Sequence, residues 1–414
     1  MKKKIISPRK NCILCNSKNV RNVINFGKTP LANSYPTSIR KKENYYRLAL
    51  LLCKSCGHLQ LKDIFDTKTM FESYVYVSGT SLVLRQHFEN YAKKIIKKFR
   101  IIPKDKILDI ACNDGTFLEY FVKKKFKNVV GIDPAKNLRL INKRKKIDIN
   151  TFFFNKKTSQ LIKKKYNNFK IITANNVCAH TPDLNDFFTG IKNLLDPKGV
   201  FVFEVSYLLD VYRKLTFDTI YHEHMSYHSL MPLIEFVNNK NLEIIDFERI
   251  EAQGGSIRIY VAHPNVFNKK INKIKRQINI EKRNKLFTDA TYYRYFFKIK
   301  KTKKILKKTL NRFKSKKFRI IGYGAPAKLT TFSHVMGIKG NDLEYIIDDD
   351  PLKQNKFAPG TKIPIFDITK LQTDRPDVIL VLAWNFFESI HKKCKRLLKS
   401  NTIFIKPFPK IKIY

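Results

Sequence analysis

Phe217-Asp218-Thr219-Ile220-Tyr221-His222-Glu223-His224 sets two imidazoles, a carboxylate, a phenol and a further aspartate in one short segment. Lys and Arg, abundant elsewhere in the chain, are absent from it. Groups of these types move protons near neutral pH. In an extended segment His222 and His224 share one face while Tyr221 and Glu223 share the other. All four meet at one atom only from a loop or a helix start. His and Glu are also metal ligands, but Cys12-Ile-Leu-Cys15 and Cys53-Lys-Ser-Cys56 form a better set. Two C-x2-C knuckles in a chain with few other cysteines point to tetrahedral zinc. Four thiolates close the shell and leave no open position, so this metal is expected to be structural. His58, two residues past the second knuckle, is read as a surface side chain rather than a ligand.

A second chemical feature is Leu108-Asp109-Ile110-Ala111-Cys112-Asn113-Asp114-Gly115-Thr116, which joins a strand-like run to a helix-like one. A tight turn there brings backbone N–H groups and a helix N-terminus toward a ligand. Asp133 ends the next apolar run, where a carboxylate accepts the ribose hydroxyls of an adenosine-type cofactor. The absence of G-x-G-x-x-G disfavours a nicotinamide cofactor and leaves S-adenosylmethionine. Asn175-Asn176-Val177-Cys178-Ala179-His180 follows a later strand, where a methyltransferase places the loop under the adenine and the sulfonium. Cys112, Cys178 and Cys394 sit among apolar neighbours and are expected to be buried.

These groups must be held by an α/β scaffold. Residues 106–111, 128–133, 169–174 and 199–204 read as buried strands alternating with helices, which predicts a mostly parallel sheet with its ligands at the strand carboxyl ends. The pattern returns at 318–324, 344–348 and 377–383. The expected organisation is a zinc-binding domain at 1–70, a Rossmann-like methyltransferase domain at 71–255, and a C-terminal domain at 256–414. The last has a helical connector at about 275–316 followed by a smaller Rossmann-like unit. A hydrophobic fraction of 43% is ample for packed cores. No apolar run approaches a membrane span. Met1-Lys-Lys-Lys-Ile-Ile-Ser-Pro has a basic start without an apolar stretch, so a cytoplasmic protein is expected. The formal charge of +48 invites a nucleic-acid partner. Lysine, however, is spread along generic helix surfaces, arginine is scarce beside it, and no aromatic-glycine RNA-binding signature occurs. The charge is therefore read as composition bias with anionic small ligands.

The segments ILDIACNDGTFLEYF (107–121), VVGIDPAKNL (129–138), ANNVCAH (174–180), FEVSYLLDVYRKLTFDTIYHEHMSYHS (203–229), GGSIRIYVAH (254–263), IIGYGAPAK (320–328) and IDDDPLKQNKFAPGTKIPI (347–365) resemble the sugar C-methyltransferases of deoxysugar biosynthesis. The resemblance runs over nearly the whole chain. Ala111 departs from it, since the family usually has glycine there. It implies an enzyme that uses S-adenosylmethionine to methylate C3 of a nucleotide-linked 4-keto-deoxysugar through an enolate. It assigns Asp109, Ala111, Asn113, Gly115, Asp133, Asn175 and Asn176 to the cofactor, and Cys12, Cys15, Cys53 and Cys56 to structural zinc.

Carbon methylation needs a base for an acidic C–H and donors for the ketone oxygen. By resemblance His224 is the base, with Glu223 and Tyr221 in support. His180 holds the ketone or enolate oxygen, and Tyr76 or its neighbour Tyr74 adds a donor. Gly322-Tyr-Gly-Ala-Pro-Ala-Lys328 is a turn suited to a phosphate, and equally a structural turn. Asp348-Asp349-Asp350 reads as a solvated strand end. The rival readings are methylation of another carbohydrate atom, and methylation of RNA.

Overall fold

The computed structural model describes residues 5–72, 77–80, 82–138, 145, 147–251, 254–398 and 401–414. Tyr74 and Tyr76 lie outside them. The chain packs as two compact units, neither continuous in sequence: Met1–Arg21, Leu52–Leu209 and Met225–Phe287 form one, and Asn22–Leu51, Asp210–His224 and Thr288–Tyr414 the other.

In the first unit, near-continuous apolar runs become strands buried on both faces. They are β1 (Ile107–Ile110), β2 (Val129–Ile132), β3 (Asp148–Asn150), β4 (Phe169–Asn175) and β5 (Leu195–Ser206). Two more strands, β6 (Glu243–Ile250) and β7 (Ser256–Ala262), complete a seven-stranded sheet of order β6-β7-β5-β4-β1-β2-β3. The five strands β1 to β5 run parallel, and β7 is antiparallel to both β5 and β6. The order reverses at β1, so the loops after β1 and β4 open at a topological switch point, where α/β sheets bind ligands. This is a Rossmann-like α/β core.

Helix α1 (Leu82–Phe99) lies over the sheet and shares a core with α2 (Thr116–Lys123), in which Tyr91, Phe117, Phe121 and Tyr260 are nearly or fully buried. Helix α3 (Lys156–Tyr166) starts at a capping box, Asn155 with Thr158, and α4 (Leu184–Leu194) at the side chain of Asp183. The first unit also holds α5 (Leu230–Asn238) and α6 (Ile271–Arg283). Buried Glu281 of α6 accepts the Leu230 and Met231 N–H groups at 2.7 and 3.0 Å and the Tyr207 hydroxyl at 2.6 Å. It thereby satisfies donors that the first turn of α5 leaves open.

The second unit contains the 27-residue α7 (Asp289–Ser315) and a six-stranded sheet. The sheet strands are β8 (Ile320–Tyr323), β9 (Ile346–Ile347), β10 (Ile365–Phe366), β11 (Val378–Val381), β12 (Ile403–Lys406) and β13 (Lys412–Ile413), in the order β10-β9-β8-β11-β12-β13. All pairs are parallel except the last. Helices α8 (Lys328–Met336) and α9 (Phe387–Leu398) follow β8 and β11. This is a second, smaller Rossmann-like unit, and the lysine-rich stretch before it is helical as expected. Among the described residues no helix is long and apolar enough to cross a membrane.

Candidate active site

The four sulfurs of Cys12, Cys15, Cys53 and Cys56 lie within 4.8 Å of one another, with Cys12–Cys56 at 3.6 Å and Cys15–Cys53 at 3.5 Å. Ligands about 2.3 Å from a tetrahedral zinc are separated by roughly 3.8 Å, so the donor set fits the ion without rearrangement. The hydrogen bond from Cys56 pulls the Cys12 thiol down to about 5, and the thiolate is the form that binds metal. His58 is not a surface residue: it is fully buried, 5.5 Å ring-to-ring from His228, and burial holds its pKa well below the usual range.

The turn after β1 carries the expected cofactor residues. Ala111, Asn113 and Gly115 have φ of +55°, +53° and +72°, a left-handed series that curls the backbone before α2 begins. Glycine meets that requirement at 115; Ala111 meets it at a cost of about 1 kcal/mol. Asp133 is buried at the end of β2 and accepts the N–H groups of Asn113 and Ala135, both at 2.8 Å, so it clasps the turn. Burial raises its pKa despite these bonds. Asp109 has a single strong partner, the Thr173 hydroxyl at 2.6 Å, and burial pushes its carboxyl up to about 7.

At the end of β4, the side-chain oxygen and nitrogen of Asn175 are shielded from solvent with no hydrogen-bond partner among the described residues. Such a group is costly unless a ligand completes it. Asn176 adopts φ +58° and donates its N–H to the Glu204 carbonyl at 2.7 Å. The ring of His180 meets Phe71 edge-on at 5.4 Å. The curled backbone, the acid-clasped turn and the orphaned amide fit an adenosine-type cofactor.

In the segment before α1 the sequence points to Tyr74 and Tyr76 but not to the backbone of Ser78 and Gly79. There the Ser78 N–H binds Asn113 Oδ1 at 2.8 Å and the Gly79 N–H binds Asp114 Oδ2 at 3.2 Å. A Cβ on Gly79 would lie 2.4 Å from that oxygen, so only glycine allows the approach.

The proton-transfer cluster lies in the second unit. Phe217–Thr219 forms one short 3-10 turn, and the chain then turns again, with the His224 N–H bonded to the Tyr221 carbonyl at 3.0 Å. The second turn breaks the alternation of an extended segment and puts Tyr221 beside His224, their rings 4.2 Å apart. His224 Nδ1 is 2.7 Å from the Thr219 carbonyl, which only accepts, so Nδ1 carries the proton. Nε2 is then the basic nitrogen, with the Tyr221 hydroxyl donating to it at 2.9 Å. Glu223 Oε1 accepts from the Asn33 amide at 2.8 Å, and buried His222 meets Tyr46 edge-on.

The same loop is pinned by the Thr331 hydroxyl of α8 on the Ile220 carbonyl and by Trp384 Nε1–H on buried Asp218 at 2.6 Å. Burial raises the Asp218 pKa, opposed by the charge of Lys328, whose ammonium lies 5.2 Å from the centre of the Trp384 ring. Asp348 is buried and accepts the Ala325 N–H of the glycine turn, which corrects its reading as a solvated strand end. Asn33 and Trp384 escaped the sequence reading because only folding brings them to this loop, and Tyr35 because its hydroxyl donates at 2.6 Å to the distant Ala325 carbonyl of the glycine turn.

Three family models match the chain in succession: "Putative zinc binding domain" over residues 12–71, "Methyltransferase domain" over 83–246, and "C-methyltransferase C-terminal domain" over 251–409. The C-methyltransferase NovU of Streptomyces niveus is 26% identical over 412 residues, spanning 99% of this chain and 98% of that protein. Among solved structures, an S-adenosylmethionine-dependent methyltransferase from Clostridium acetobutylicum is 16% identical, covering 43% of this chain and 92% of its own, at a TM-score of 0.34. Magnesium protoporphyrin IX methyltransferase of Synechocystis with bound S-adenosylmethionine is 10% identical, covering 43% and 79%, also at 0.34. Scores this low bear on neither fold nor function. The order of the three domain models and the full-length relative agree with the zinc-ready cysteines, the Rossmann-like sheet and its cofactor turn: the chain carries a zinc-binding, a methyltransferase and a C-methyltransferase C-terminal domain in succession, and is an S-adenosylmethionine-dependent methyltransferase with a structural zinc site.

Proposed function

We propose that the enzyme methylates C3 of a nucleotide-linked 4-keto-deoxysugar, a carbon made acidic by the adjacent ketone. The observation that carries this reading is the oriented pair in which Thr219 fixes the proton on His224 Nδ1 and Nε2 faces the Tyr221 hydroxyl. An imidazole with its tautomer set this way is a general base whose one ring lone pair lies on Nε2.

His224 Nε2 takes the proton from carbon, the C–H electrons form the enolate double bond, and charge moves to the ketone oxygen. Tyr221 steadies Nε2 before substrate arrives and yields its place to the C–H. Glu223, held by Asn33, supplies negative charge that favours the imidazolium. His180 and Tyr76 are assigned to the enolate oxygen, as hydrogen-bond donors that bind the anion better than the ketone. When bound, the cofactor supplies an electrophilic methyl group on a cationic sulfur. Asn113, Gly115, Asp133, Asn175 and Asn176 hold it, with Asp109 and Ala111 shaping the turn. Zinc takes no part in the transfer, because its four thiolates fill the shell. The sugar nucleotide is the partner, and a cytoplasmic location follows from that soluble substrate.

The test is incubation with methyl-labelled S-adenosylmethionine and a panel of 4-keto sugar nucleotides. Label on C3 of one member supports the proposal. Label on oxygen or nitrogen, or failure across the panel with cofactor bound and protein folded, rejects it.

A further inference from the structure

The first unit contains a row of charged and polar side chains whose register is set by the sheet. Asn175 of β4 pairs with Glu204 of β5, Glu204 with Arg258 of β7, and Arg258 with Glu248 of β6. Directly paired residues point to the same face, so these four form one line across the sheet that ends at the loop with the orphaned amide. Glu204 and Arg258 are almost fully buried, at 2% and 3% exposure. Burying an ion pair costs several kcal/mol of desolvation and is weak evidence of a stabilising role.

Helix α1 covers this line. Its His87 Nε2 is 3.0 Å from Glu204 Oε1, and its Tyr91 ring stacks 3.4 Å from the Arg258 guanidinium. Glu204 Oε2 takes Arg258 Nε and Nη2 at 3.1 and 2.8 Å, so each carboxylate oxygen has its own partner. Lys94 of α1 reaches Glu248 at 2.7 Å.

Both ends of this arrangement touch the cofactor loops. The backbone carbonyl of Glu204 receives the Asn176 N–H at 2.7 Å. The Ser78-Gly79 turn that leads into α1 is bonded to Asn113 and Asp114, and Arg85 Nε holds the Gly79 carbonyl at 2.5 Å. A single buried carboxylate therefore ties the helix that braces one cofactor loop to the strand that braces the other.

We propose that Glu204 is a positioning residue for the methyl donor, acting through His87 and α1 on the turn at 113–115 and through its backbone on Asn176. It sets donor affinity and leaves the chemical step alone. Neutral imidazole with the proton on Nε2 and imidazolium both donate to Glu204, so the tie needs a donor at this position rather than a charge. His87→Gln retains a donor on a flexible stem, whereas His87→Leu removes it.

The inference rests on the reading of Asn113, Gly115, Asp133 and Asn175 as the donor site. The experiment measures S-adenosylhomocysteine binding by titration calorimetry, a readout free of chemistry. His87→Leu is expected to weaken binding roughly tenfold, the scale of one lost charge-assisted hydrogen bond. His87→Gln should recover most of it, and kcat at saturating donor should stay at the wild-type level in both. Gly79→Ala, which drives a methyl group onto Asp114, perturbs the other end of the same element. It should weaken binding as well, and it carries the test if His87→Leu does not fold by circular dichroism.

Wild-type affinity in folded His87→Leu, equal losses in the Leu and Gln variants, or a loss of kcat without a loss of affinity would overturn the proposal. Asp133→Ala separates the two layers. Normal binding there removes the donor-site reading itself, while weakened binding there with normal His87→Leu removes only the role of Glu204.

Discussion

Asp109→Asn should stabilise the cofactor-free protein, and by more at high pH than at low. The carboxyl is 3% exposed and has one short hydrogen bond, from Thr173. Burial first, then the charge of Asp133, raises it from an ordinary 3.8 to about 7. A raised carboxylate pKa means that the folded protein resists ionising this group. Below pH 3.8 both states are protonated and there is no penalty. Between 3.8 and 7 the unfolded chain ionises and the native one does not, so stability falls with rising pH. Above 7 the penalty is constant.

At about 1.4 kcal/mol per pH unit this amounts to roughly 1.6 kcal/mol at pH 5 and about 4 kcal/mol at pH 8. Asparagine keeps the acceptor for Thr173 and has no charge to bury. Hydrogen exchange of the Ile107–Ile110 amides, compared between variant and wild type at each pH, reads the difference directly. The variant should be better protected at both, by roughly 2.5 kcal/mol more at pH 8. Equal protection at pH 8, or a gain independent of pH, would refute the reasoning. It would show that Asp109 ionises in the fold at its ordinary pKa.

Cys56→Ser should cut bound zinc from about one per chain to well below it by elemental analysis, and raise hydrogen exchange across residues 12–61; full zinc occupancy in this variant would contradict the four-thiolate site. Ala111→Gly, which relieves a left-handed φ of +55°, should raise stability by about 1 kcal/mol with donor binding retained, and a less stable variant would mean that the methyl group packs usefully. Glu281→Ala strands the Tyr207 hydroxyl and the Leu230 and Met231 N–H groups. It should cost more than about 2 kcal/mol, seen as faster exchange in α5, and unchanged exchange there would deny it the capping role.

The sequence was most legible where chemistry and local spacing coincide. The two cysteine knuckles specify their cluster without any tertiary information, since residues two apart can share an ion. The turn at 109–115 and the strands flanking it follow from apolar runs and one glycine. Strands β6 and β7 were not read, because Asp246, Glu248, Arg249 and Arg258 interrupt their apolar pattern. Those charges are tolerated only through partners such as Glu204 and Lys98, supplied from distant parts of the chain. In the 217–224 segment the residue types were legible but their facing was not. Alternation would have separated Tyr221 from His224, and a turn closed by one backbone hydrogen bond joins them. Thr219 acts there through its carbonyl, an atom every residue has, so no residue type could have signalled it. Asn33, Ser78 and Gly79 were missed for a related reason: their partners are far off in sequence and their own side chains or backbones are unremarkable alone.

The central claim is that His224 removes a proton from the carbon that receives the methyl group. A 4-keto sugar nucleotide carrying deuterium on that carbon tests it most directly, with label in water and methyl transfer followed together. The account predicts one deuterium released per methyl transferred by the wild type. It predicts that His224→Gln loses both by at least about a hundredfold while still binding S-adenosylhomocysteine. A methylated product that retains the deuterium, or normal turnover by His224→Gln, would contradict it.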